Sequence, residues 1–257
     1  MPGPSNNVFS PKVVVELVLI VVGILTALAI DAWAQDRQDR ESERIYLELL
    51  RDDLALIEDQ LRRFADFETA NLETAAAVYI ALAPDNDARD AAQIQSALTT
   101  VSVRRTVQVA SAAYTDLQST GNLRLLRNRE LRQQIIRYFA QTERLERIIE
   151  KNNTAFVDNI YMSSLIESGV TVGFSRSNEP NAVQADDLLR EALSKGPPMP
   201  TDKVLLLPRD APAWDHLRRL VVFRARISAV GVRQGNQGVE STQGLRTAIE
   251  EELRNPI

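Results

Sequence analysis

The stretch from Val13 to Trp33, VVVELVLIVVGILTALAIDAW, constrains this chain more than any other. Between Val13 and Ile30 its one ionisable residue is Glu16, and Asp31 follows near the other end. As a helix, its roughly 21 residues rise about 31 Å, which matches a bilayer core of about 30 Å. Charges within a turn of either end cost far less than charges at the centre. The Glu16 carboxylate also faces the positive end of the helix dipole, and the Trp33 indole suits the headgroup level. Two other readings compete. Ala32-Trp33-Ala34 has the small-x-small form of a signal-peptide cleavage site, but the run is long for such a peptide and Asp31 lies in the approach to the cut. A soluble core helix this continuously apolar would need burial on every side. The segment is therefore read as a retained single-pass transmembrane helix in the cell membrane. The expected organisation is an N-terminal tail at 1–12, the membrane helix at 13–33 and a helical soluble domain at 34–257, divided into a stem, 34–83, and a body, 84–257.

Within the span, Glu16, Gly23, Ala27 and Ala34 fall near one stripe of the helix, separated by seven, four and seven residues. Gly23 and Ala27 form a small-x-x-x-small pair, which lets another helix approach closely. The lipid bilayer is one expected partner. A second copy of the chain, or another transmembrane helix, is the other. The plainer reading of the stripe is that small residues are common in membrane spans and that Glu16 only reaches the headgroups.

These residues also carry a resemblance. Glu16, Gly23-Ile24-Leu25, Leu28, Ile30 and Trp33 resemble the opening signature of a bacterial family of small single-pass membrane proteins of unknown function, in which a charged helix follows the span. A second patch is similar to the same family: Ser119-Thr120-Gly121-Asn122-Leu123, then Leu125-Leu126, Asn128, Leu131-Arg132 and Tyr138-Phe139. The chain departs at Ala29, Asp31 and Ala32, where the family usually has amides. The resemblance implies a membrane anchor and a helical body, and it implies no activity.

Composition removes several classes of chemistry. There is no cysteine, so disulfides, thiolate metal sites and thiol catalysis are excluded. His216 is the single histidine and has no nameable acid–base companion, so a structural or surface role is the simpler reading. The balance of 35 acidic against 30 basic residues gives a net charge of -5, with no basic excess that would argue for nucleic acid. No cofactor motif is present. Ala and Leu dominate over aromatics, which favours helices.

No proline lies between Pro11 and Pro84, and no glycine between Gly23 and Gly121, so the membrane helix is expected to continue into the stem. Leu47, Leu50, Leu54, Ile57, Leu61 and Phe64 step by three and four, a coiled-coil seam of roughly two and a half heptads. Glu68 and Asn71 then occupy the seam, which argues against a long autonomous coiled coil. Pro84-Asp85-Asn86-Asp87 reads as a turn, its acidic spacing a solvated cap and not a calcium loop, because the glycine and the terminal Glu are missing. A short helix is expected near Asp90–Leu98, an extended or irregular stretch over Thr99–Val109, and a helix over Ala110–Thr120 stopped by Gly121. Asn128 caps the next helix, expected to run to about Leu165 and to pack antiparallel on the first. Its arginines, Arg124, Arg127, Arg129, Arg132 and Arg137, invite a phosphate or lipid reading. Intervening glutamates make a solvated ion-pair face the simpler one.

A loop or short hairpin is expected over Gly169–Pro180. Asn181 and Gln184 resemble a capping box for a helix ending before Gly196. Trp214, Leu217, Leu220, Val221 and Phe223 open another helix, Gly231, Gly235, Gly238 and Gly244 mark a flexible stretch, and a last helix is expected near Leu245–Leu253.

Arg37, Arg40, Arg44 and Arg51 follow the span, against Lys12 and the terminal amine before it. The positive-inside bias therefore favours, slightly, a cytoplasmic body. A short tail with one lysine also stays inside readily, which would export the body. The fold class expected is all-α. The function expected is a membrane-anchored, non-enzymatic helical module, a sensor, scaffold or subunit of an envelope complex. The alternative is a membrane-anchored enzyme of hydrolase type that uses carboxylates of the helical body.

Overall fold

A computed structural model describes residues 11–83, 86, 90–172, 188–189, 191–197, 202–208 and 210–255. The fold is all-α, and no strand occurs among the described residues. Helix α1, Pro11–Ala81, is 71 residues long and unbroken, as the absence of internal proline and the long glycine-free run allow. At 1.5 Å per residue it rises roughly 105 Å.

From Leu47 onward one face of α1 is buried. The stripe runs through Leu50, Leu54, Ile57, Leu61 and Phe64, and it does not stop at Glu68 and Asn71 but continues to Ala75 and Val78, with Leu82 buried just past the helix end. Its chief partner is the long C-terminal helix, labelled α6 below, Pro212–Arg254, which opens with Pro212 in its first turn. The two helices are antiparallel. Arg218 near the start of α6 donates to the Leu82 carbonyl at 3.0 Å, and Arg246 near its end reaches Glu58 at 2.6 Å.

Two sequence expectations for this region are corrected. The glycines are not a flexible stretch, and there is no separate last helix: α6 is continuous through Gly231, Gly235, Gly238 and Gly244. The reason is tertiary. A Cβ built on Gly235 would lie 2.8 Å from Ala65 Cβ and 3.2 Å from Ala65 Cα, and one on Gly231 would lie 2.8 Å from Glu68 Cγ. The missing side chains let the axes approach, and the packing gained offsets the helix-propensity cost of about 1 kcal/mol per glycine.

Between α1 and α6 the chain descends again towards the apolar segment. Helix α2, Ala91–Ser102, is capped by Asp90, which accepts from the Ala92 N–H at 2.9 Å. Val103 to Ala110 has no regular structure, so helix α2 takes in the first four residues of the stretch expected to be irregular. Helix α3, Ala112–Ser119, is capped by Ser111 and ends before Gly121, whose φ of 74° is one that glycine adopts without strain. A 3₁₀ turn, Asn122–Leu125, leads to Asn128, whose side chain accepts from the Glu130 and Leu131 N–H groups at 3.1 Å and caps α4, Arg129–Asn152. The descent is marked by contacts on α1: Arg105 over the Phe67 ring, Ser111 donating to Asp53, Tyr46 donating to Asp116, and Arg127 bonded to Glu43 and Asp36.

This descent reverses the expected direction of α4. It begins beside Asp36 and runs parallel to α1, and antiparallel to α6. Tyr138 and Thr242 share a 2.8 Å hydroxyl contact, and Phe139 stacks on Tyr114 of α3. Beyond α4 the helix widens into a π-helical segment, Asn153–Met162, and closes as α5, Ser163–Glu167. Asn153, Val157 and Tyr161 point inward at intervals of four, and Asn153 donates to the Arg105 carbonyl at 3.0 Å. The capping box at Asn181 and Gln184, and most of the turns at Pro84–Asp87 and Gly169–Pro180, lie outside the described residues.

The apolar core has two parts. One gathers Leu47–Phe64 with α3, α4 and the end of α6. The other gathers Ala75–Leu82 with α2, Tyr161, Leu165 and the start of α6. A polar layer holding Glu68 and Arg224 lies between them.

Candidate functional site

The residues singled out from the sequence lie on the part of α1 that no other described element covers. Glu16, Gly23, Ala27, Trp33 and Ala34 are all exposed. Nothing lies within 4 Å of a Cβ built on Gly23. The structure therefore brings none of these residues together with the rest of the chain, except that the Arg37 guanidinium sits 5.9 Å from the Trp33 ring centre. Twelve Val, Leu and Ile side chains from Val14 to Ile30 are exposed, and the apolar window is 0% buried. The polar side chain of Thr26 donates to the Val22 carbonyl at 2.8 Å, one turn back on its own helix. By length and composition this part of α1 is long and apolar enough to cross a membrane, and none of its apolar window is buried within the protein.

One turn beyond Trp33 a polar collar begins. Arg127 is its hub. Its guanidinium pairs with the Asp36 carboxylate and also donates to the Asp36 carbonyl at 3.2 Å. Its backbone N–H donates to Glu43 at 2.6 Å, and its Nε lies 3.7 Å from the same carboxylate. Next to it Asn128 donates to Glu252 of α6 at 2.5 Å, while its other amide atom caps α4. Asn122 donates to the Tyr46 hydroxyl at 3.2 Å, and Tyr46 donates to Asp116 at 2.5 Å. One short segment, Asn122–Asn128, thus ties α1, α3, α4 and α6 together at the end nearest the apolar run. Sequence reasoning found Asn128 as a cap and missed the collar, because its partners are 91 and 124 residues apart in the chain.

The two carboxylates of the collar differ. The hydrogen bond from Arg127 holds Asp36 below the ordinary carboxylate range. Burial pushes Glu43 up, against the hydrogen bond from the Arg127 N–H, and the nearby Glu252 charge adds to the rise. Because folding raises the Glu43 pKa, the protonated form gains stability from folding relative to the charged form. That stability is fully present below the unfolded carboxylate pKa and is lost as pH rises through the folded value. Glu43→Gln keeps an acceptor for the Arg127 N–H without the charge. Its thermal midpoint is expected above that of the wild type at pH 7 and equal to it near pH 4. Circular dichroism melts of the detergent-solubilised chain check this, and a lower midpoint at pH 7 would show that the Glu43 charge is net stabilising.

The second polar cluster is buried between the two cores. Arg224 is fully buried and donates to Glu68 at 3.1 Å, Ser228 at 2.6 Å and the Val101 carbonyl at 2.7 Å. It therefore balances a buried charge and satisfies the C-terminal end of α2. Above it Tyr161 donates to the Leu98 carbonyl at 3.4 Å, and burial raises the phenol's pKa. His216 is exposed on α6, apart from both clusters.

An open cleft of about 420 Å³ adjoins the collar, lined by Asn128, Glu130, Gln134, Glu251, Glu252 and Asn255 among others. Among the described residues no group of three His, Cys, Asp or Glu side chains is placed to hold a metal ion.

Fold and site together define an all-α protein with a long, exposed, apolar N-terminal helix and a polar collar directly beyond it. The chain matches the Family of unknown function (DUF6090) over residues 16–163, more than half its length, and it belongs to that family. That span runs from Glu16 to Ser163 and so includes both the apolar run and the Asn122–Asn128 collar. No curated protein and no solved structure matches the chain.

Proposed function

We propose that this is a single-pass membrane protein whose helical body is a non-enzymatic module, a sensor, scaffold or subunit of an envelope complex. The observation that carries the reading is the continuity of α1. Its first third exposes twelve aliphatic side chains, and its remainder is the spine on which the body packs. Left in water, those side chains forgo about 1.5–3 kcal/mol each, a sum of roughly 20–35 kcal/mol, which a bilayer recovers. The enzyme alternative would draw on the acidic cleft beside the collar. Glu252 there accepts from Asn128, and Glu43 holds Arg127, so these carboxylates already serve to join helices. Washing membranes with alkaline carbonate is expected to leave the protein in the pellet. Its release would sink the anchor reading.

The arginines that follow the span support, by a narrow margin, a cytoplasmic body. Low activity of alkaline phosphatase fused to the C-terminus is the expected result, and high activity would put the body on the other side. The stripe Glu16, Gly23, Ala27 and Ala34 takes a partner span, a second copy or another membrane protein. Support comes from the open space around Gly23. In a two-hybrid assay of transmembrane association, Gly23→Ile is expected to lower the signal and Gly23→Ala to leave it unchanged. An undiminished Gly23→Ile signal would remove self-association.

A further inference from the structure

The five arginines of the connector and of α4 are not equivalent. Arg127 is engaged by Asp36 and Glu43, and Arg132 donates to the Leu126 carbonyl at 3.3 Å. Arg124 and Arg129 are exposed, and neither forms an ion pair among the described residues. Their height above the apolar run follows from α1 itself. Asp36 lies three residues past Trp33 and Glu43 ten, so their Cα atoms stand about 4.5 Å and 15 Å along the axis. Helical side chains lean towards the N-terminus of their helix, which brings the Glu43 carboxylate and the Tyr46 hydroxyl closer still to the apolar run. The headgroup layer on each side of a bilayer is about 5–7 Å thick. A connector clamped to Asp36 and Glu43 therefore borders that layer.

We propose that the connector Gly121–Arg129 seats the helical body against the bilayer, with Arg124 and Arg129 binding lipid phosphates. This rests on the anchor reading above and extends it from the span to the body. Guanidinium suits the task, because its planar fork matches phosphate oxygens two at a time. The acidic groups at this end limit what the body contributes to the contact to those two arginines. Asp36 pairs with Arg127 and Arg40, Glu43 pairs with Arg127, and Glu252 accepts from Asn128, but Glu130 and Glu251 line the neighbouring cleft and repel an anionic surface. Arg37, beside Trp33, adds a third cation near the phosphate level. The contact therefore holds individual phosphates at defined positions and is not a broad basic face.

The natural chain has no cysteine, so Ser119→Cys, exposed at the end of α3, gives a single labelling position beside the connector. The full chain carrying a fluorophore there is reconstituted into phosphatidylcholine vesicles with and without phosphatidylglycerol, each containing a headgroup nitroxide lipid. Flotation with the vesicles reports the anchor, and quenching reports the seating. All samples are expected to float. Quenching is expected to be about twofold stronger with the anionic lipid and to lose that gain in Arg124→Gln/Arg129→Gln. Flotation with quenching indifferent to both lipid charge and the double substitution would overturn the seating and leave the anchor standing. Failure to float would overturn both.

Discussion

Arg224→Met is expected to be the most damaging single substitution in the body, at a cost of about 3–5 kcal/mol. The substitution keeps the bulk of the side chain but leaves the Glu68 carboxylate, 4% exposed, without a cation. It also strips the Val101 carbonyl and the Ser228 hydroxyl of a donor. A lone buried carboxylate costs far more than the pair contributes, because desolvation is no longer offset by a partner charge. The double substitution Arg224→Met/Glu68→Met removes that residual charge and is expected to recover a large part of the loss. Thermal melts of the two variants and the wild type in detergent measure this. If the double variant melted as low as the single one, the damage would lie in the lost carbonyl contacts and not in the orphaned charge.

Gly235→Val is expected to destabilise by about 1–3 kcal/mol, the range for overpacking a filled interface. The contact that forbids a side chain there is Ala65 backbone and Cβ, neither of which can rotate away. Gly244→Ala, on the same helix with nothing within 4 Å, is expected to act in the opposite direction, gaining roughly 0.5–1 kcal/mol of helix propensity. The paired measurement separates close approach from backbone freedom. If both substitutions stabilised α6 alike, the α1–α6 contact would have to be looser than the one described.

What was legible in the sequence was what local chemistry fixes. The apolar run, the unbroken α1, the stop at Gly121 and the Asn128 cap each depend on residues within a few positions of one another. The direction of α4 was not legible, because it depends on how α2 and α3 return along α1, and no local signal carries that. Glycines inside α6 read as flexibility for the same reason: their role appears only when Ala65 and Glu68 are brought against them. A signal was nonetheless present. Leu217, Val221, Arg224, Ser228, Gly231, Gly235, Gly238, Thr242, Leu245 and Ile249 step by four and three without interruption, which marks one helix face once glycine is allowed in the seam. The collar around Arg127 and the pair Arg224–Glu68 join residues 91 and 156 positions apart, and spacing alone could not have matched them.

On the proposed anchoring, the exposed third of α1 lies within a bilayer and passes without a break into the spine of the body. Single cysteines placed from Val14 to Leu47 in the otherwise cysteine-free chain, and treated with a membrane-impermeant maleimide in vesicles of both orientations, test it most directly. No labelling is expected from about Leu17 to Ile30, then labelling from Gln35 onward that rises and falls with the 3.6-residue period as the covered face turns past. Labelling throughout Leu17–Ile30 would contradict the claim, and uniform labelling between Gln35 and Leu47 would show that the helix breaks before it reaches the body.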